Sequence, residues 1–189
     1  MSSRQPANRA FTLLEIIVVI AIITIIVAIS YPALTSAKEA AKITSCSNNL
    51  RQLQHAIALY RTDWNGDGAT GDMFAMGLPP YTEEVAVLKP YKAAFSCAGA
   101  SKPPFYGPGA SPYHYMPSPP GVHLPYSNWE QYTAKHGDNT ALYVDLNHNQ
   151  PSLLTNAFYT TKFGIGIKLD GSLVRHRKDG NAYSYEWWN

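Results

Sequence analysis

One stretch limits what this chain can become: Phe11-Thr12-Leu13-Leu14-Glu15 runs directly into Ile16-Ile17-Val18-Val19-Ile20-Ala21-Ile22-Ile23. From Phe11 to Ile29 it covers 19 residues, which as a helix reaches ~28 Å, about the thickness of a bilayer core. A carboxylate near the start of such a run is costly in hydrocarbon, so Glu15 needs a partner. Arg4 and Arg9 carry the only positive side-chain charges before the run. The positive-inside rule therefore keeps residues 1–10 in the cytoplasm and sends the rest across the membrane. Two plainer readings compete. A conventional secretory signal would use Ala28-Ile29-Ser30 as its cleavage site. A permanent single-pass anchor would not be cut at all. Neither explains a carboxylate where the apolar run begins.

Beyond the run, Ser30-Tyr31-Pro32 predicts a kink rather than a stop, because Pro removes one backbone donor and crowds the preceding turn. Ile43, Cys46, Leu50, Leu53, Ile57 and Tyr60 then recur at spacings of three and four. That is one apolar stripe, so residues 11–61 read as a single helix, apolar all round in its first half and amphipathic in its second. The stripe must be covered, and the rest of the chain offers strands. Ala141–Asp145 is one, and Phe163–Leu169 alternates as a second. Asp170-Gly171 marks a hairpin into Ser172–Arg177. Asp179-Gly180 turns again into an expected last strand over Asn181–Trp188. The Pro- and Tyr-rich residues 99–132 read as a long wrapped loop with at most an edge strand, since Pro cannot donate to a central ladder. The fold class is α+β: a long N-terminal helix on a small antiparallel sheet.

The residues Ala10, Phe11 and Glu15, with Pro32 further along, resemble the N-terminus of type IV prepilins and type II secretion pseudopilins. The resemblance implies a leader at residues 1–10, a membrane and filament-core helix at 11–32, and a pilin-like globular domain at 33–189 that includes an amphipathic helix over 33–61. It implies cleavage between Ala10 and Phe11 by a prepilin peptidase, with Ala10 standing where Gly is usual, and methylation of Phe11. It further implies that Glu15 neutralises the amine of a neighbouring subunit, and that Pro32 lies at the helix bend. A second resemblance, to a group of bacterial pilin-like proteins, rests on Cys46-Ser47-Asn48-Asn49-Leu50-Arg51-Gln52-Leu53, on Ala94-Phe95-Ser96-Cys97 as a short apolar strand, and on the Asp170-Gly171 box. Ser172 and Thr160 stand where that group usually has His.

The expected function is a structural subunit of a type IV pilus-like or secretion pseudopilus filament. Its partners would be identical or homologous subunits, the peptidase and the inner membrane. It would pass from the inner membrane to a periplasmic or cell-surface filament. The alternative is a secreted monomeric calcium- or ligand-binding domain with a conventional signal peptide. Net charge is +2, and loss of the two Arg in residues 1–10 brings it to zero; nothing suggests a nucleic-acid-binding face. Cys46 and Cys97 would be exported, where an oxidising compartment favours a disulfide over two buried thiols. Asp63, Asn65, Asp67 and Asp72 group carboxylates and an amide at the helix end, which suits a calcium loop or a self-bonded turn. Asp145, Asn147 and Asn149 repeat the alternation. The six His show no metal spacing, and no nucleophile, P-loop or dinucleotide motif occurs, so no catalytic residue is expected.

Overall fold

A computed structural model of the chain describes residues 11–64, 66, 70–81, 83–100, 111–117, 129–149 and 160–188. The chain divides into two compact units, Met1–Ala40 and Ala41–Asn189. Helix α1 spans Leu13–Asp63 and runs through Pro32 without a break. Within the first unit every described residue is exposed, including Leu13 at 77% and Ile29 at 72%. Side-chain hydroxyls here bond locally: Thr24 Oγ1 donates to the Ala21 carbonyl at 2.8 Å. A hydroxyl so satisfied can enter an apolar medium at reduced cost. The helix is long and apolar enough to cross a membrane.

The second unit holds the core. Cys46, Leu50, Leu53, Ala56 and Ile57 of α1 are buried, with Ile43 and Tyr60 packed at the margin. That is the stripe expected from the three-four spacing. Helix α2 (Glu84–Val87) and 3-10 turns over Lys89–Ala94 follow. Four strands form one antiparallel sheet in sequence order: β1 (His114–Tyr115), β2 (Ala141–Asp145), β3 (Lys162–Lys168) and β4 (Leu173–Lys178). Helix α3 spans Trp129–His136 ahead of β2. β2 is buried along its whole length, as expected of a strand that pairs on both sides. The β3–β4 turn forms at Asp170-Gly171, where Gly171 has φ +81° and the Ser172 amide bonds Asp170 Oδ1 at 2.7 Å. The Gln54 side-chain amide secures this turn to α1: its Nε2 donates to the Leu169 carbonyl at 3.0 Å.

Three expectations fail. The stretch Ala94-Phe95-Ser96-Cys97 is not a strand, because 3-10 turns run to Ala94 and a bend follows. The last strand, Asn181–Trp188, is instead a turn and a 3-10 helix over Tyr185–Trp188. Its alternating aromatics mimic a strand, yet Trp187 and Trp188 are both buried, which period-two geometry forbids on one face. They close over the two glycines of β3: a Cβ at Gly164 or Gly166 would lie 2.5 or 2.8 Å from Trp188 ring carbons. Third, residues 99–132 are not wholly irregular. The edge strand that this reading allowed is β1, but α3 begins at Trp129, inside the stretch expected to be loop; residues 101–110 and 118–128 lie outside the described residues.

Candidate functional site

The N-terminal turn of α1 is built by Thr12 and Glu15. The Thr12 amide and hydroxyl donate to Glu15 Oε2 at 2.8 and 2.9 Å, and the Glu15 amide donates to Thr12 Oγ1 at 3.2 Å. This reciprocal pattern is a capping box, and it satisfies amides that no helical carbonyl reaches. The Thr-x-x-Glu spacing in the sequence is the signal for this box, beside an apolar run in which the charge is the more conspicuous feature. Both Thr12 donors use the same carboxylate oxygen. Among the described residues Oε1 accepts nothing. Glu15 is thus locally anchored and retains one open acceptor at the head of an exposed apolar helix. Phe11 precedes it, 78% exposed. Ala10 lies outside the described residues.

Cys46 and Cys97 form a disulfide, with Cα atoms 5.2 Å apart. α1 supplies Cys46, and Cys97 follows the 3-10 turns. Beside the bridge, Asn49 Nδ2 and the Tyr113 hydroxyl both donate to the Ser96 carbonyl at 2.6 Å. Burial pushes the Tyr113 hydroxyl up, out of the range where it would ionise.

Of the acidic residues after α1, only some are among the described residues. Asp63 ends the helix and Asp72 lies beyond; Asn65 and Asp67 fall outside the described residues. Asp72 Oδ1 accepts the Phe74 and Ala75 amides, both at 2.8 Å, and so caps the following turn. Gly66 is required for a different reason than ion binding: a Cβ there would lie 2.5 Å from the Met76 carbonyl oxygen. In the second cluster, Asp145 Oδ1 accepts the Asn147 amide and side chain at 2.9 and 2.7 Å. Asn149 instead ties the loop to β3, exchanging bonds with the Phe163 backbone at 2.6 and 2.8 Å. These three side chains therefore do not converge on one point. The other carboxylate oxygen, Asp145 Oδ2, faces His148 Nε2 at 3.3 Å and Cys97 Sγ at 3.4 Å. Nothing in the sequence spacing places these groups together.

Residues 6–31 match the family model described as the prokaryotic N-terminal methylation motif. No curated protein and no solved structure matches the chain. The matched span contains Phe11, Thr12 and Glu15 together with most of the exposed apolar helix. The chain therefore carries the N-terminal methylation motif, the signal of type IV pilin and pseudopilin precursors, ahead of an α+β domain consistent with a pilin-like fold.

Proposed function

We propose that this precursor is cut between Ala10 and Phe11 by a prepilin peptidase, methylated at Phe11, and assembled through α1 as a structural subunit of a pilus-like or pseudopilus filament. The observation that carries the reading is Glu15: a carboxylate held by Thr12, with one oxygen that accepts nothing among the described residues, at the head of a helix whose first half, through Ala40, is exposed throughout. Before assembly the bilayer covers that apolar surface. After assembly the helices of other subunits cover it, and the amine of a neighbouring Phe11 meets Glu15, so that neither charge stays unpaired in an apolar interior. Pro32 lies where the apolar half of the helix gives way to the amphipathic half.

The test is the mass and N-terminal residue of the mature protein, together with filament yield of two variants. Methylated Phe11 is expected. Glu15→Val should insert into the membrane and fail to assemble. Thr12→Val removes the hydroxyl's two bonds to Glu15 but leaves the backbone one and the carboxylate, and should assemble. A mature start near Tyr31, or normal filament yield from Glu15→Val, overturns the proposal. Thr12→Val failing as badly as Glu15→Val would reduce Glu15 to a helix cap.

A further inference from the structure

Cys46, Cys97, Asp145 and His148 each bring one donor atom into a cluster whose members lie within 4.8 Å of one another. They come from α1, from the bend after the 3-10 turns, from the end of β2 and from the loop that follows it. Cys46 and Asp145 are fully buried, and the His148 side chain is 3% exposed. Asp145 Oδ2 lies 3.4 Å from Cys97 Sγ. A disulfide sulfur has no hydrogen to give, so in the bridged state the donor that reaches this oxygen is His148 Nε2 at 3.3 Å, not Cys97.

The separations have a second meaning. Tetrahedral zinc holds sulfur at ~2.3 Å and nitrogen or oxygen at ~2.0–2.2 Å, so its ligand atoms stand apart by ~3.3 Å for N···O, ~3.5 Å for S···O or S···N and ~3.8 Å for S···S. The structure has 3.3 Å between His148 Nε2 and Asp145 Oδ2, 3.4 Å between Asp145 Oδ2 and Cys97 Sγ, and 3.7 Å between Cys97 Sγ and His148 Nε2. The separations of these three donors match one face of a zinc tetrahedron. The fourth, Cys46, lies at bonding distance to Cys97 and must move away by less than ~2 Å once the bond is broken.

We propose that this cluster is a redox-gated zinc site, closed by the disulfide and opened by reduction. A dithiol supplies the two electrons and two protons that convert the bridge to two thiols, and is itself oxidised to a disulfide. A divalent zinc ion then binds both sulfurs, releasing the two thiol protons, with Asp145 Oδ2 and the lone pair of His148 Nε2 completing four ligands. Bridge and metal exclude one another, because the bonded sulfurs are too close to occupy two tetrahedral corners. In the metal-binding tautomer His148 Nδ1 carries the proton, and that atom is buried with no acceptor among the described residues. Among the described residues the site lacks the outer hydrogen bond that strengthens many zinc ligands, which weakens its affinity. Nothing in this site depends on cleavage or filament assembly.

The full-length chain in detergent micelles is the material, and cobalt(II) followed by zinc displacement is the probe. With the bridge reduced by a phosphine under anaerobic conditions, one cobalt per chain is expected. Its visible absorption should be of tetrahedral strength, with sulfur-to-cobalt charge transfer. The oxidised chain should take up none. His148→Ala should weaken binding by at least about a hundredfold, since even an outer partner contributes ~10–100-fold. Asp145→Asn should weaken it too, and His148→Gln, which keeps polarity and bulk, serves as a second variant if Asp145→Asn does not fold by far-UV circular dichroism. A reduced chain that binds no cobalt, folded or not, overturns the proposal. So does an octahedral spectrum without charge transfer, or parental affinity in the folded His148 variants.

Discussion

Reduction of the Cys46–Cys97 bridge is the perturbation whose magnitude the structure fixes best. The linked residues are 51 apart in sequence, and a loop of that size restricts the unfolded chain by about 4 kcal/mol in the chain-entropy treatment. Reduction also adds something. The new Cys97 thiol can donate to Asp145 Oδ2, 3.4 Å away, a bond the disulfide cannot make, and one such bond offsets about 1 kcal/mol. The net expected loss is therefore about 3 kcal/mol. The fragment 36–189 is suitable for measurement, because among the described residues every buried one lies at Cys46 or later, so the truncation uncovers none of that core. Urea unfolding is followed with and without a phosphine, always with a chelator, so that metal cannot restore what reduction removes. With a urea slope of about 2 kcal/mol/M, the midpoint should fall by about 1.5 M. If mass analysis shows both thiols free and the midpoint has not moved, the loop-closure reasoning is wrong. Zinc in place of the chelator should recover part of the loss by mass action.

Gly166→Ala places a Cβ 2.8 Å from Trp188 and should destabilise this fragment by about 1–3 kcal/mol; in a Trp188→Ala background the same change should cost far less, and equal costs in both would refute the contact. Burial holds Glu84 up at about 7 and His114 down at about 4, against ordinary values of 4.5 and 6.5. Glu84 therefore lowers stability as pH rises from about 4.5 to 7, while His114 lowers it as pH falls from about 6.5 to 4. The two oppose, so Glu84→Gln should make acid sensitivity steeper between pH 6.5 and 4.5; unfolding midpoints with identical pH profiles in both proteins would exclude this. Calcium at 1 mM should stabilise the fragment by about 0.4–1.4 kcal/mol if the loop from Asp63 to Asp72 binds it with a Kd of ~10⁻⁴–10⁻³ M. No change in melting midpoint on adding chelator would leave that loop a polar turn.

The parts of this fold that were legible in the sequence are those set by local period. The α1 stripe from Cys46 to Ile57, the β2 and β3 strands and the Asp170-Gly171 turn each follow from neighbours within a few residues. The errors arise where distant groups decide. Tyr183, Tyr185 and Trp187 alternate like a strand, but the gap left by Gly164 and Gly166 draws Trp187 and Trp188 over the sheet instead. α3 has too few apolar positions for its period to stand out beside the prolines that precede it; its Tyr132 is fixed by a bond to the Tyr185 carbonyl. The cluster around Cys97 joins residues 48 and 51 positions apart, a juxtaposition that no spacing rule anticipates.

The Thr12–Glu15 box changes how the carboxylate can be understood. An isolated charge at the edge of a bilayer would select strongly for any partner, including a wrong one. Glu15 is instead held by two donors from Thr12, and these fix its direction relative to the helix start. A carboxylate so oriented does not have to find its rotamer when a second helix arrives, which reduces the ordering cost of association. Its other oxygen accepts nothing among the described residues, and in the proposed filament the Phe11 amine of a neighbouring subunit would supply a donor to it. The cap and the intersubunit pair are therefore compatible roles for the same side chain. Under the proposed assembly the first would serve the chain in the membrane, and the second would be added when other helices cover the apolar half of α1.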